Sequence, residues 1–143
     1  MDALTFLREH VSLFSGVSDG NLADLSGSSA LLQFKAGQTI LFKGATVDGL
    51  HVVVSGSVGV YVKSTSKTVV RVAELATGEV FGETSIVEMG TAGATIKAGG
   101  NGAVVLMIPQ ESFRHVLQLD EGFAVRVNML ITARRSSPTS VPA

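Results

Sequence analysis

The stretch Gly78–Ile96, which reads GEVFGETSIVEMGTAGATI, decides how the rest of this chain is interpreted. Gly82 stands just before a short segment, Glu83–Val87, that we expect to be helical. A glycine here lets an anion approach the backbone, and a helix amino terminus offers it unpaired N–H groups, although the same glycine could serve only a tight turn. Glu83 has apolar neighbours on both sides, where an ionised carboxylate is costly unless a partner pairs with it. That partner is at its simplest the N–H groups at the helix start.

The length and composition predict one domain. The 143 residues, of which 45% are hydrophobic, supply one core and leave no room for a second full domain. The net charge of -1 gives no field to steer the chain onto DNA or an anionic membrane. There is no cysteine, so disulfides and thiolate metal sites are excluded. The amino terminus lacks signal-peptide features, and no apolar run approaches the roughly 20 residues of a membrane helix. We therefore expect a cytoplasmic protein that binds neither nucleic acid nor membrane.

Residues 31–108 consist of short β-branched runs separated by turn residues. Val58, Val60 and Val62 alternate with other residues, which is typical of a strand with one buried face. Glycine-containing segments such as Ser55-Gly56 and Gly99–Gly102 are predicted turns. Strands at this spacing indicate an antiparallel sandwich or jelly-roll barrel. The predicted strands are Leu31–Phe34, Thr39–Phe42, Leu50–Ser55, Ser57–Lys63, Thr68–Leu75, Ala94–Ala98 and Ala103–Ile108.

Helices are predicted on both sides of this region. Ser18 or Asp19 is the expected amino-terminal cap of the second helix, and Pro109 suits the first turn of the third. The domain is predicted to span residues 1–135, and the Ser- and Pro-rich residues 136–143 to form a disordered tail or linker remnant. The predicted helices cover Asp2 to about Gly16, Asn21–Ser26, Gln110–Leu119 and about Glu121–Arg135.

The Gly78–Ile96 stretch resembles the phosphate-binding cassette of cyclic nucleotide-binding domains, the modules of cAMP-receptor transcription factors, cyclic-nucleotide-dependent kinases and gated channels. Glu83 and Thr95-Ile96 fall on the family pattern, and Phe42-Lys43-Gly44 and Leu50–Gly56 match the first half of the family's β-roll. The resemblance covers nearly the whole chain. It implies a mainly β fold with flanking helices, an antiparallel jelly-roll β-barrel (double-stranded β-helix) with amino-terminal helices and a carboxy-terminal helix pair.

The resemblance also implies roles for single residues of the cassette, which we define as Gly82–Ile96. Gly82 and Ser85 stand where family members hold the cyclic phosphate, and Glu83 stands where they accept a hydrogen bond from the ribose 2'-hydroxyl. Thr84 replaces a bulky apolar residue that packs against the lid. The implied ligand is cAMP or cGMP, with no cofactor and no metal. Two apolar residues match positions that line the base pocket, with plain core as the alternative: Val60 and Val72.

Ala92 stands where the family has its phosphate-binding arginine. Losing a hydrogen bond to a charged group costs about 1.5–3 kcal/mol, on the order of ten- to hundredfold in affinity, so we expect weak cAMP binding or none. Thr91, Gly93 and Thr95 belong to a small loop, which also contains the candidate binding residue Ala94, and the N–H groups of this loop could still form an anion nest. Arg134, in the helix where the family closes its lid, is the first candidate for a replacement cation, with Arg135 and Arg126 behind it. The alternative for Arg134 is a solvated helix end that complements the helix dipole.

Three functions follow. The first is a regulatory ligand-sensing module in which cassette occupancy moves the last helix and so alters a partner or an attached effector domain. The second is a degenerate scaffold for protein interaction, including a homodimer through the apolar stripe of the last helix. The third is a binder of a different nucleoside or anion. His10, His51 and His115 lack metal-site spacing, and no nucleophile motif occurs, so we expect no enzyme.

Overall fold

The computed structural model describes residues 2–136. A 3-10 turn (Ser12–Phe14) connects the first two helices, and the remaining elements follow in the predicted order. The elements are α1 (Ala3–His10), α2 (Asp19–Gly27), β1 (Ala30–Phe34), β2 (Thr39–Leu41), β3 (Gly49–Lys63), β4 (Val69–Ala76), β5 (Val80–Phe81), α3 (Glu83–Val87), β6 (Thr95–Pro109), α4 (Gln110–Leu119) and α5 (Glu121–Ser136).

The strands form one antiparallel sheet in the order β1-β6-β3-β4, with β2 also paired to β6 and β5 also paired to β3. The mainly β class with flanking helices is confirmed. The pairing among the described strands leaves the sheet open. It is therefore not the closed barrel that the sequence predicted. The open arrangement follows from β1 and β4, each of which pairs on one side only.

The two central strands are longer than predicted. β3 and β6 are each 15 residues long, whereas the sequence predicted two strands and a turn for each. Gly56 and Gly102 have φ of 74° and 76°, and a Cβ atom at Gly56 would lie 2.2 Å from the Gly102 carbonyl oxygen. The glycines therefore bend two strands that lie in contact, and neither strand ends there. β5 was not predicted because two residues are too few to show a period.

Side-chain caps start the first two helices, and the cap of the second helix is Ser18, one of the two residues that the sequence predicts. Asp2 accepts a hydrogen bond from Thr5 N at 2.8 Å, and Ser18 accepts one from Asn21 N at 3.2 Å. α1 ends at His10, earlier than predicted, because Val11 is extended and buries its side chain. The predicted disorder of the tail lies outside the described residues, except that Ser136 is the last residue of α5.

Aromatic contacts fix the carboxy-terminal helices to the amino-terminal turn. The rings of Phe14 and Phe123 stack at 5.2 Å, and the ring of Phe113 meets Phe123 edge-on at 5.8 Å. α5 buries Phe123, Val127 and Ile131 in the same core. The domain's own core therefore covers these three residues, and the predicted homodimer through the last helix stays a prediction. Within residues 2–136, every helix is too short or too polar to span a bilayer.

Candidate functional site

Gly82 sets the geometry at the start of the cassette. β5 pairs with β3 through His51 and Phe81, and the chain then turns at Gly82 with a φ of 98°. A Cβ atom at Gly82 would lie 3.0 Å from both the Gly49 carbonyl oxygen and Val47 Cγ1. Both the conformation and the available space therefore require glycine. α3 begins at the next residue, so the turn places the Glu83 side chain inside the protein.

Glu83 is fully buried, with 0% of its surface exposed. Its Oε1 atom accepts a hydrogen bond from Arg134 Nη1, and its Oε2 atom has no partner among the described residues. Burial raises the pKa of Glu83, while the positive charge of Arg134 opposes that rise. The expectation that this carboxylate needs a partner is confirmed, and the partner is a side chain of the last helix.

Arg134 lies against the cassette. Its side chain is 14% exposed, and Nη2 donates to the Val80 carbonyl oxygen at 2.5 Å. The alternative of a solvated helix end is therefore wrong for Arg134. The next residue, Arg135, is half-exposed and pairs with Glu88, just beyond α3. The last turn of α5 is thus tied to both ends of α3.

Backbone hydrogen bonds hold the loop around Ala92. Ala92 N donates to the Ala45 carbonyl oxygen at 2.9 Å, and Gly44 N donates to the Ala92 carbonyl oxygen at 2.8 Å. Ser85 Oγ, which the sequence placed near a phosphate, donates to the Thr91 carbonyl oxygen at 3.0 Å. The Ala92 side chain is 2% exposed. The Ala92 N–H group is therefore already bonded to Ala45 and is not available to bind an anion in this loop.

The remaining predicted residues lie around this loop. Thr84 is buried, and its hydroxyl has no partner among the described residues. Gly93 is exposed at the loop surface, whereas Ala94 is buried beneath it. Val60 is buried and faces Ala73 in register, and Val72 is the partly buried extra residue of the adjoining β-bulge. Their assignment to a base pocket stays a prediction.

Two further residues support the cassette. His51 stacks on Phe81 at 4.7 Å, and burial lowers its pKa to about 4. Arg114 of α4 donates to the Ile86 carbonyl oxygen and so holds α3, a role for which the sequence carries no local signal.

Among residues 2–136, no group of three His, Cys, Asp or Glu side chains could hold a metal ion.

Comparison with known proteins gives one family. The model of the cyclic nucleotide-binding domain matches residues 31–120. Similar solved structures include the regulatory domain of Toxoplasma gondii PKA with cAMP (18% identity, TM-score 0.80, covering 94% of this chain and 49% of that one). A second is the Thermus thermophilus catabolite activator protein (22% identity, TM-score 0.74, covering 85% and 57%).

A third similar structure is the regulatory subunit of a cAMP-independent protein kinase A from Trypanosoma cruzi bound to guanosine (18% identity, TM-score 0.79, covering 95% and 46%). This chain spans about half the length of these three proteins. No curated protein sequence matches the chain. At these identities the three structures show a shared fold.

Proposed function

This chain belongs to the cyclic nucleotide-binding domain family, and from that premise we propose that it is a regulatory ligand-sensing module whose cassette communicates with α5. The observation that carries the proposal is the buried ion pair between Glu83 and Arg134. One partner is the cassette's ribose-binding candidate, and the other belongs to the last helix. A ligand that engages Glu83 therefore acts directly on the group that holds α5 in place.

The free Oε2 atom of Glu83 is the acceptor that we assign to a ribose hydroxyl, because Oε1 is already bonded to Arg134. An incoming hydroxyl would satisfy a buried acceptor that lacks a partner. A negatively charged ligand would in addition attract the Arg134 guanidinium away from Glu83. Because Arg134 also bonds Val80, a shift of its side chain would move the end of α5 relative to β5. A partner protein or an attached effector domain would detect that movement.

A neutral nucleoside is a second candidate ligand, favoured by the charges around the cassette. Ala92 replaces the family's cation, and the charge of Arg134 is already balanced by Glu83. A phosphate placed here would lose hydration without gaining an unpaired cation. A nucleoside keeps the ribose hydroxyl that Glu83 accepts and brings no charge. The guanosine bound by the Trypanosoma cruzi relative supports this candidate.

Titration calorimetry with cAMP, cGMP, guanosine and adenosine tests both candidates. We expect saturable binding of at least one compound and at least about tenfold weaker binding to Glu83→Gln, which removes a charged acceptor. The matched control is Glu74→Gln, on the exposed face of β4. The 2'-deoxy form of the bound compound should show a similar loss. Absence of heat and of any thermal shift at millimolar concentrations of all four compounds would contradict the proposal.

If none of the four compounds binds, the scaffold for protein interaction is the function that remains. Its structural support is the exposure of Val125 and Met129, two apolar side chains of α5 that the core leaves uncovered. A homodimer through this surface should become a monomer in the double variant Val125→Glu, Met129→Glu, as measured by sedimentation velocity. A double variant of the same charge at two exposed polar positions, Gln33→Glu and Gln118→Glu, should leave the mass unchanged. A monomeric wild-type chain would contradict this use of α5.

A further inference from the structure

Strand β4 forms an open edge of the sheet. Its residues, Val69–Ala76, pair with β3 along one side, and no described strand pairs with the other side, which we call the β4 edge. Such an edge carries a row of backbone N–H and C=O groups that can pair with another chain. The strand contains no proline and no lysine, the residues that most often blunt an edge. The β4 edge can therefore accept a further strand.

Two adjacent valines of this edge are exposed. Val69 is 56% exposed and Val70 is 41% exposed. Because successive residues of a strand point to opposite faces, exposure of both means that neither face of the sheet is covered at this end of β4. A strand from another molecule would remove apolar surface of both side chains from water, which favours association.

A β-bulge brings two opposite charges onto the same exposed face of β4. Val72 is the extra residue, since Arg71 pairs with Tyr61 and the next paired residue is Ala73. In a regular strand, residues three positions apart point to opposite faces. Here Arg71 Nη1 lies 2.9 Å from Glu74 Oε2, and both side chains are half-exposed. The β4 edge thus carries one positive and one negative charge, on either side of the bulge.

This arrangement of charges is complementary to a second copy of itself. Two identical antiparallel strands related by a two-fold axis run in opposite directions past each other, so the order of their residues is reversed. With the axis between Val72 and Ala73, Arg71 of each copy stands opposite Glu74 of the other. Opposite charges directly across an antiparallel pair stabilise it, whereas like charges destabilise it.

We propose that two copies of this chain associate through their β4 edges, as an antiparallel pair in which Arg71 of each copy contacts Glu74 of the other. Backbone hydrogen bonds and burial of the two valines supply the affinity. The charges select the register, because an exposed ion pair contributes only about 0–1 kcal/mol. Each β4 edge is much shorter than the about 20–30 residues a side of a standard interface, so the dimer is reversible.

This dimer goes beyond the proposed function and does not depend on any ligand of the cassette. Its surface is also different from the exposed side chains of α5 considered above. Val125 and Met129 lie on that helix, whereas the β4 edge belongs to the sheet. The double variant Val125→Glu, Met129→Glu should therefore leave the β4 dimer intact.

Sedimentation velocity over a range of concentrations, with no ligand present, tests the association. The wild-type chain should change from monomer to dimer as its concentration rises. Arg71→Glu places a carboxylate opposite Glu74 at two symmetric positions, and Glu74→Arg places a guanidinium opposite Arg71 in the same way. Each single variant should dimerise at least about tenfold more weakly than the wild type.

A mixture of the two single variants gives the sharpest control. One variant carries two negative charges at these positions and the other carries two positive charges, so every contact between unlike copies is again favourable. An equimolar mixture should form a heterodimer although each variant alone is monomeric. Loss of the contact between Arg71 and Glu74 within one copy cannot produce this result, because both variants lack that contact.

The charge-exchanged double variant, Arg71→Glu with Glu74→Arg, has the net charge of the wild type and restores both contacts. It should dimerise as the wild type does. Amide hydrogen exchange of the wild-type chain locates the interface without any substitution. Protection should increase with concentration in Val69–Ala76 but not in β1, the other strand that pairs on one side only.

Four outcomes would overturn the proposal. They are a wild-type chain that stays monomeric up to millimolar concentration, single variants that dimerise as tightly as the wild type, a mixture that forms no heterodimer, and protection confined to other elements. A dimer that Val125→Glu, Met129→Glu abolishes would also overturn it and would assign the contact to α5. Failure of the β4 dimer leaves the ligand titrations of the cassette unaffected.

Discussion

At the scale of single residues, Glu83 and Arg134 form the central contact of this molecule. The carboxylate is enclosed completely, and the guanidinium that reaches it is 14% exposed. Burying two charges is expensive, and their attraction offsets that expense only while both partners remain. The pair therefore holds α5 in position, because any displacement of the helix leaves a buried charge without its partner.

Removal of Arg134 should destabilise the protein far more than removal of its neighbour. Arg134→Met leaves Glu83 buried and unpaired, so we expect a loss of about 3–5 kcal/mol in the free energy of unfolding at neutral pH. Arg135→Met breaks a half-exposed pair with Glu88 and should lose no more than about 1 kcal/mol. Urea denaturation of both variants measures the difference, and equal losses would show that burial of the pair contributes little.

Ala92 offers a gain-of-function experiment. Ala92→Arg returns the family's cation, so cAMP affinity should rise on the order of ten- to hundredfold, the range given by one charge-assisted hydrogen bond. Thr91→Arg places the same charge on the exposed neighbouring residue and should have little effect. Calorimetry with cAMP compares them. Equal affinities of both variants would mean that general attraction of the anion explains any gain.

At the scale of elements, the position of the cassette depends on the two long strands β3 and β6. Their bends meet at Gly56 and Gly102, where the backbones lie too close for a side chain. A sheet with shorter strands would need connecting loops at this point. Bending lets the pairing run from Gly49 opposite Pro109 to Tyr61 opposite Thr95, with two shifts of register, so the end of the cassette lies in the same sheet as β5, the strand that precedes the cassette.

A substitution at the bend should destabilise the sheet. Gly56→Ala forces a Cβ atom towards the Gly102 carbonyl oxygen at a φ of 74°, so we expect a loss of more than about 2 kcal/mol in the free energy of unfolding. Gly100→Ala is the matched control, because a Cβ atom there meets nothing within 4 Å. Its effect should stay within about 1 kcal/mol. Thermal and urea denaturation measure both variants, and similar values would contradict the steric argument.

At the scale of the whole molecule, two buried groups give stability an opposed dependence on pH. The pKa of His51 is lowered from 6.5 to about 4, so its contribution is fully present above pH 6.5 and is lost as the pH falls towards 4. The pKa of Glu83 is raised, so its contribution is present below the unfolded value of 4.5 and is lost as the pH rises through the folded value.

Removal of the imidazole should separate the two effects. In His51→Phe, the fall in stability between pH 6.5 and pH 4 should shrink by about 3 kcal/mol, the value that corresponds to that pKa difference at about 1.4 kcal/mol per pH unit. The exposed His115→Phe is the control. Urea denaturation at a series of pH values measures the profile. An unchanged slope in His51→Phe would show that other groups cause the loss at low pH.

The sequence by itself determined the order of helices and strands and the cap of the second helix, because periodicity and capping depend on residues a few positions apart. The family resemblance of its residues located the cassette. The sequence also indicated that Glu83 needs a partner. Only the tertiary structure decided that the partner is Arg134, 51 residues away, that the N–H group of Ala92 donates to the Ala45 carbonyl oxygen, and that Arg126 donates to the Leu13 carbonyl oxygen. These contacts form only when the chain closes on itself, so no local pattern of residues encodes them.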